Sequence, residues 1–166
     1  MPREKSAGAI IFRMENGVPH YLLLHYPSMN RKGGHWEFAK GHIEEGEDYE
    51  RTVKREVAEE TGLSDIKIIP GFKEHIKYFF REKRKEKSLP TLPTGQAGGR
   101  QEKPAWIFKL VTFFIAETKT KNIKLSPEHI NFLWLPFEEA YKKITYKNSK
   151  ELLKKTNNYL ILKEKT

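Results

Sequence analysis

The spacing of apolar residues along the chain predicts a mixture of strands and helices. β-branched and aromatic residues crowd two early segments, 6–13 and 20–26, which favours strands. Glu15, Asn16 and Gly17 lie between them and are typical of a tight turn, so the two segments predict a β-hairpin. Further strands are predicted at 35–38, 66–69, 72–81, 105–117 and 131–135.

Three segments have the pattern of helices. Residues 48–61 predict a helix that ends at Gly62, where a left-handed cap is wanted. A second helix is predicted near 136–143. The last one is predicted over 149–162, with Ser149 as N-cap and an apolar stripe formed by Leu152, Leu153, Leu160 and Ile161. Because strands and helices do not alternate regularly, the order favours an α/β (α+β) fold with mixed sheet layers.

A segment rich in proline and glycine interrupts this pattern. Residues 88–99 repeat Leu-Pro-Thr and then run into glycines, which disfavours both strand and helix. We expect one domain over residues 1–166, with a long hairpin loop inserted at about 88–103 that has no chemistry of its own.

Composition limits the possible functions. The absence of cysteine excludes disulfides, thiolate zinc sites and a cysteine nucleophile. No signal peptide and no apolar run of the ~20 residues that a membrane span needs is evident, so we expect a cytoplasmic monomer without a membrane partner. The net charge of +9 favours anionic partners, while acidic residues concentrate between Glu44 and Glu60. Ordinary surface solvation remains the alternative for such charge runs.

The helix at 48–61 places three carboxylates close together. At about 100° per residue, Glu56, Glu59 and Glu60 share an arc of about 100°. Glu60 falls at the edge of the apolar stripe, where burial of a carboxylate and repulsion from Glu56 both cost free energy. A divalent cation removes both costs, and oxygen ligands suit Mg²⁺ or Mn²⁺. A glutamate-rich surface helix is the alternative for the glutamates taken alone.

Residues before and within the helix add to this pattern. Gly41 and Gly46 permit a tight loop whose backbone lies close to a ligand. Arg55 is on the side of the helix from which it can reach back to Glu47 in that loop.

This segment resembles the Nudix box, GX5EX7REUXEEXGU with U apolar. Every specified position matches, as shown by Gly41, Glu47, Arg55, Glu56, Val57, Glu59, Glu60, Gly62 and Leu63. The resemblance implies the Nudix fold, a mixed sheet between helices, and hydrolysis of a nucleoside diphosphate linked to another moiety. It further implies that Glu56, Glu59 and Glu60, with Gly41, bind Mg²⁺ or Mn²⁺, and that Arg55 and Glu47 support the loop.

Flanking segments resemble the asymmetrical diadenosine tetraphosphate hydrolases of the animal and archaeal type. These segments are SAGAIIFR, YLLLHYPS, HWEFAKGHIEEGED, GFKEHIKYFF and LSPEHINFLWLPFEEA. By this resemblance His35 and Lys40 face the phosphates, and Glu128 binds metal or acts as base. Tyr78 and Tyr159 sandwich an adenine.

Each of these assignments has a structural alternative. Tyr78 and Tyr159 have apolar neighbours and suit core packing equally well, and His35 and Glu128 are compatible with ordinary loop positions. The insertion departs from the relatives, whose short hairpin presents lysines to the phosphates. Lys83, Lys85 or Lys103 is expected to supply that charge.

We therefore expect Mg²⁺-dependent hydrolysis of diadenosine tetraphosphate to ATP and AMP, with Glu128 or Glu59 as base. The nearest alternative is a Nudix enzyme that removes pyrophosphate from RNA 5′ ends, although we expect no stable nucleic-acid partner. A nucleotide sensor without turnover is the alternative of another class. The intact glutamates argue against it, because a binder has no need of the repelling set.

Overall fold

The computed structural model describes residues 3–28, 32–81 and 106–165. The inserted loop that was predicted at 88–103 lies outside this part of the chain. The described elements, in chain order, are β1 Arg3–Glu15, β2 Val18–Tyr26, β3 His35–Glu37, β4 Ala39–His42, α1 Tyr49–Thr61, β5 Lys67–Ile68, β6 Glu74–Arg81, β7 Trp106–Glu117, β8 Asn131–Pro136, α2 Phe137–Lys143 and α3 Lys147–Glu164.

The described strands form one mixed sheet of eight strands. Its main path is β3-β2-β1-β7-β5, while β4 pairs with β1, β6 with β7 and β8 with β2. The long strands β1 and β7 run parallel, and the other pairs are antiparallel. The predicted α+β architecture is confirmed.

Helices cover both faces of this sheet, because β1 is apolar on both sides. Ile10 and Phe12 belong to one core cluster, which includes the buried leucines of α3. Ala9 and Ile11 point the other way, into a second cluster with Val53 of α1. Strand β1 therefore lies at the centre of the fold, where it pairs with β4 and packs against α1.

The turn between β1 and β2 is the tight turn that the sequence predicts. Asn16 and Gly17 both have positive φ, at 51° and 78°. That geometry matches the twist of the flanking strands, which is why asparagine followed by glycine is favoured there.

The beginning of α3 differs from the prediction. The helix begins at Lys147, and Ser149, predicted as N-cap, lies inside it and is buried. Its hydroxyl donates to the carboxylate of Glu37 at 2.7 Å, so Ser149 satisfies a buried acid instead of a helix end. Ile161, expected in the apolar stripe, is 43% exposed.

Strand β4 was not predicted as a separate element. Ala39 and Gly41 pair with Ala9 and Ala7 of β1, so the residues that lead into the glutamate-rich segment extend the sheet. This register fixes Lys40 and Gly41 relative to α1. Within the described residues, no helix is long and apolar enough to cross a membrane.

Candidate active site

Helix α1 is fixed at both ends. The side chain of Asp48 accepts a hydrogen bond from the backbone N–H of Arg51 at 2.8 Å, which caps the first turn. Gly62 adopts φ of 75° and donates its backbone N–H to the carbonyl of Ala58 at 2.9 Å. The predicted helix and its glycine cap are confirmed.

Arg55 connects this helix to the loop that precedes it. Its Nε and Nη2 donate to the two carboxylate oxygens of Glu47, each at 2.8 Å. Nη2 also donates to the carbonyl of His42 at 2.8 Å, and Nη1 donates to Glu56 at 2.8 Å and to Glu59 at 3.3 Å. The predicted contact between Arg55 and Glu47 is therefore confirmed, and it is bidentate.

The charge of Glu47 is held by these bonds. The guanidinium of Arg55 and a backbone hydrogen bond from Glu44 lower the pKa of Glu47 to about 2. The same pair raises the pKa of Arg55 above its usual range. Both groups are therefore ionised at neutral pH, which maintains the link between loop and helix.

Gly41 leaves room for the carboxylate of Glu56. A Cβ at position 41 would lie 1.9 Å from Cδ of Glu56, far inside van der Waals contact. Only glycine therefore allows Glu56 to lie against β4. Burial raises the pKa of Glu56, while the guanidinium of Arg55 acts in the opposite direction.

Glu60 is the most buried carboxylate of the helix, with 7% of its surface exposed. Its Oε2 accepts hydrogen bonds from the Tyr26 hydroxyl and from the Lys40 backbone N–H, both at 3.3 Å. Burial, together with the nearby charge of Glu56, raises its pKa to about 8. The prediction that Glu60 leans into the apolar edge is confirmed.

His129 is a site residue that the sequence prediction missed. Its Nε2 lies 3.7 Å from Oε2 of Glu60, and its ring packs edge-on against Tyr26 at 4.4 Å. Both ring nitrogens are buried and have no hydrogen-bond partner among the described residues. Burial lowers the pKa of this histidine, so it faces Glu60 as a neutral ring. The only indication in the sequence that His129 belongs to the site was its position directly after Glu128.

The arrangement fits a divalent cation without forming a complete site. Among the described residues, no three acidic or histidine side chains are gathered in a group able to hold a metal. Arg55 instead engages Glu56 and Glu59, and Glu59 is otherwise exposed. The donors are all oxygens, Glu60 is a buried carboxylate with a raised pKa, and Gly41 keeps Glu56 beside the backbone. This donor chemistry suits Mg²⁺, which takes one or two carboxylates and completes its shell from water and phosphates.

Lysines surround Tyr78 on the sheet face that carries α3. The ammonium nitrogens of Lys40 and Lys109 lie 5.7 Å and 5.8 Å from the centre of its ring. Lys109 was not predicted, whereas Lys83 and Lys103, which were, lie outside the described residues. The signal for Lys109 is the pairing of β6 with β7, which places it opposite Tyr78 and which the sequence alone does not specify.

The ring of His35 lies between those of Tyr26 and Tyr146. Its ring stacks on Tyr26 at 5.1 Å and lies 5.5 Å from the ring of Tyr146, which is 42% exposed. Tyr146 also lines a cleft of about 630 Å³ between β6 and the beginning of α3. Sequence reasoning did not select Tyr146, because nothing in the local pattern separates it from an ordinary residue before a helix.

Tyr159 has a different environment from the one its predicted role needs. Its hydroxyl donates to the carbonyl of Pro70 at 2.6 Å, and its ring packs on Phe72 at 5.5 Å. These contacts tie α3 to the turn at Gly71, so they favour the packing alternative.

Glu128 is exposed near Glu60, and its charge contributes to the raised pKa of Glu60.

Comparison with known proteins agrees with the fold. The NUDIX domain family matches residues 2–156. The bis(5′-nucleosyl)-tetraphosphatase [asymmetrical] of Mus musculus is 31% identical, over 94% of this chain and 95% of its own length. The structure of a C. elegans Ap4A hydrolase binary complex superposes with a TM-score of 0.70 at 27% identity, covering 95% of this chain and 98% of that one. An RNA pyrophosphohydrolase of Sulfurovum is 28% identical over 67% of this chain and 64% of its own length.

The chain belongs to the Nudix family. It is a hydrolase that acts on pyrophosphate bonds, with the glutamates of α1 at the position of the family's signature segment.

Proposed function

We propose that this enzyme hydrolyses dinucleoside polyphosphates in a Mg²⁺-dependent reaction, with diadenosine tetraphosphate giving ATP and AMP. The observation that supports this most is that the glutamates at the C-terminal end of α1 lie near Tyr78 and the two lysines beside its ring. Lys40 contacts both groups, since its N–H contacts Glu60 and its ammonium lies over Tyr78. The similarity to asymmetrical tetraphosphatases over nearly the whole chain supports the same substrate class.

The metal would be held by Glu56 and Glu60, with Glu59 and the backbone of Gly41 beside them. When bound, Mg²⁺ (or Mn²⁺) neutralises phosphate charge and lowers the pKa of coordinated water. Arg55 holds Glu56 in place before binding. It also ties the loop through Glu47, so that the carboxylates need little rearrangement.

Basic and aromatic side chains would bind the substrate. Lys40 and Lys109 neutralise phosphates, and Tyr78 between them offers a ring on which a base stacks. The exposed Tyr146 lines the cleft that would take the second part of the substrate, and the ring of His35 lies 5.5 Å from it. We retain Lys83 and Lys103 as further candidates for phosphate contacts.

Two carboxylates are candidates for accepting the proton of the attacking water. Glu128 is exposed, and its charge contributes to the raised pKa of Glu60, which supports a role for it as a base at the edge of the site. Glu59 is also exposed, and Arg55 Nη1 holds one of its oxygens at 3.3 Å.

Product analysis tests this proposal. The purified enzyme with Mg²⁺ is given diadenosine tetraphosphate, NAD, ADP-ribose and 5′-triphosphate RNA, and the products are separated by anion exchange. Equimolar ATP and AMP from the first substrate, at the highest kcat/KM of the four, support the proposal. Cleavage of none of them, together with tight nucleotide binding, would identify a sensor instead.

RNA 5′ ends are the second candidate substrate. The similarity to RNA pyrophosphohydrolases over about two thirds of the chain favours this option, as does the net charge of +9. Preferential release of pyrophosphate from 5′-triphosphate RNA would select it over the dinucleotide.

A further inference from the structure

One end of the sheet exposes aromatic side chains that belong to neither core. Phe79 of β6 is 57% exposed, Trp106 of β7 is 48% exposed, and Phe108 of β7 is half-buried. The rings of Phe79 and Phe108 lie 5.1 Å apart. None of the three is a member of either hydrophobic cluster, so their role is not to stabilise the described cores.

The register of the strands assigns these residues to one face. Phe79 pairs with Phe108, and Trp106 lies two residues before Phe108, so the three share a side of the pleat. This is the side that carries α1, whose Tyr49 contacts Phe114. Phe108 lies six residues before Phe114, which is roughly 20 Å along the strand. It therefore lies beyond the part of the sheet that α1 covers.

Cations flank the aromatic rings on the same face. Arg3 and Lys5 of β1 pair with Phe108 and Leu110, and both are exposed. Lys77 of β6, also exposed, pairs with Leu110 from the other side.

The neighbouring acids do not neutralise this charge. Glu4 and Glu74 occupy alternate positions of the same strands and so point to the opposite face, where Glu74 meets Lys155. Among the described residues of β1, β6 and β7 beyond the cover of α1, this face is therefore aromatic and basic.

We propose that this aromatic and basic face, formed by Arg3, Lys5, Lys77, Phe79, Trp106 and Phe108, binds single-stranded nucleic acid. Flat rings on a sheet provide stacking surfaces for unpaired bases, and cations on both flanks neutralise the phosphates on either side. The residues of this face come from three separate strands, β1, β6 and β7. They therefore form no contiguous sequence motif for RNA recognition. The face lies on the opposite side of the sheet from Tyr78 and Lys40, so we expect the oligonucleotide to bind without displacing a nucleotide at Tyr78.

Fluorescence anisotropy of a labelled oligouridylate with a 5′-hydroxyl tests this, since that probe has no pyrophosphate bond. A deoxyoligonucleotide of equal length is measured in parallel, and equal binding of both indicates recognition of any single strand. Phe79→Ala and Trp106→Ala should each weaken binding by roughly 5-fold or more. Ile161→Ala, at an exposed apolar position on α3, is the matched control and should leave binding unchanged.

Two further measurements keep the test decisive. Lys5→Ala and Lys77→Ala should each lower the slope of log Kd against log salt by about 0.7, whereas Lys154→Ala should not. Trp106 fluorescence should be quenched by the oligonucleotide, and Trp106→Phe should lose the quenching while it remains folded by circular dichroism.

Several results would overturn the proposal. One is equal affinity of Phe79→Ala and wild type for the oligonucleotide, and another is displacement of the oligonucleotide by diadenosine tetraphosphate. Self-association that depends on Phe79 would assign the face to a second copy of the chain. Binding of anionic vesicles without binding of the oligonucleotide would assign it to a lipid surface. Glu60→Gln should bind the oligonucleotide as wild type does, so loss of hydrolysis and loss of this site are distinguishable.

Discussion

The carboxylate of Glu56 occupies the space that a side chain at position 41 would fill. A Cβ on Gly41 would lie 1.9 Å from Cδ of Glu56 and 2.1 Å from one of its oxygens. The backbone of β4 and a carboxylate of α1 are thus in direct contact. Since β4 is hydrogen-bonded to β1, the backbone of Gly41 is fixed, and a side chain at position 41 would displace the carboxylate of Glu56.

Gly41→Ala should therefore reduce kcat/KM by at least 10-fold, because Glu56 must leave its position against β4. Steady-state kinetics measures the effect, with circular dichroism to verify folding. Gly17→Ala is the control: it strains a left-handed residue but has open space around it, so it should lower Tm and leave kinetics intact. Normal kinetics of Gly41→Ala would show that Glu56 does not need this position.

The bidentate contact between Arg55 and Glu47 predicts a second effect. Glu47→Gln keeps the shape of the side chain but removes the charge that both nitrogens of Arg55 engage. We expect kcat to fall by about 10- to 100-fold, as is common when a group that orients metal ligands is lost. Glu50→Gln is the matched control, since Glu50 forms only an exposed pair with Lys54. Equal activity of both variants would exclude a positioning role for Glu47.

The raised pKa of Glu60 predicts that stability in the absence of metal depends on pH. Its folded pKa of about 8 lies above the ordinary glutamate value of 4.5, so the carboxyl is preferentially protonated in the folded state. Its contribution to stability is complete below about pH 4.5 and is lost as pH rises through 8.

Thermal unfolding in EDTA between pH 6 and 9 measures this loss. Tm should fall with pH in wild type by several degrees more than in Glu60→Gln, since 1 kcal/mol corresponds to about 2–4 °C in a chain of this size. Mg²⁺ should restore stability at high pH in wild type only. Parallel curves for the two proteins would mean that Glu60 titrates normally.

The two tyrosines near α3 should behave differently. Tyr146→Ala should raise KM by roughly 5-fold or more with little change in kcat, because it removes an exposed ring on which a base stacks. Tyr159→Phe loses the hydrogen bond to the Pro70 carbonyl, so Tm should fall by a few degrees while KM stays within a factor of two. A raised KM in Tyr159→Phe with a normal one in Tyr146→Ala would assign the stacking role to Tyr159.

The local features of the fold followed from the sequence because they depend on neighbouring residues. The turn at Asn16 and Gly17, the helix cap at Gly62 and the partial burial of Glu60 each follow from periodicity or backbone preference. The position of Arg55 against Glu47 could also be predicted, since helix geometry and a short loop determine it.

The contacts that could not be predicted from the sequence depend on pairing between residues that are far apart along the chain. Lys109 reaches Tyr78 only because β6 pairs with β7 in one register, and His129 reaches Glu60 from a distant loop. Ser149 was misassigned because its partner, Glu37, lies far away in sequence. Local propensity contains no information about such contacts.

The most direct measurement of the central claim compares wild type and Glu60→Gln on diadenosine tetraphosphate with Mg²⁺. Wild type should give equimolar ATP and AMP, with no products in EDTA, and Glu60→Gln should react more slowly by orders of magnitude with an unchanged fold. Two molecules of ADP as product, or near-normal turnover by Glu60→Gln, would contradict it.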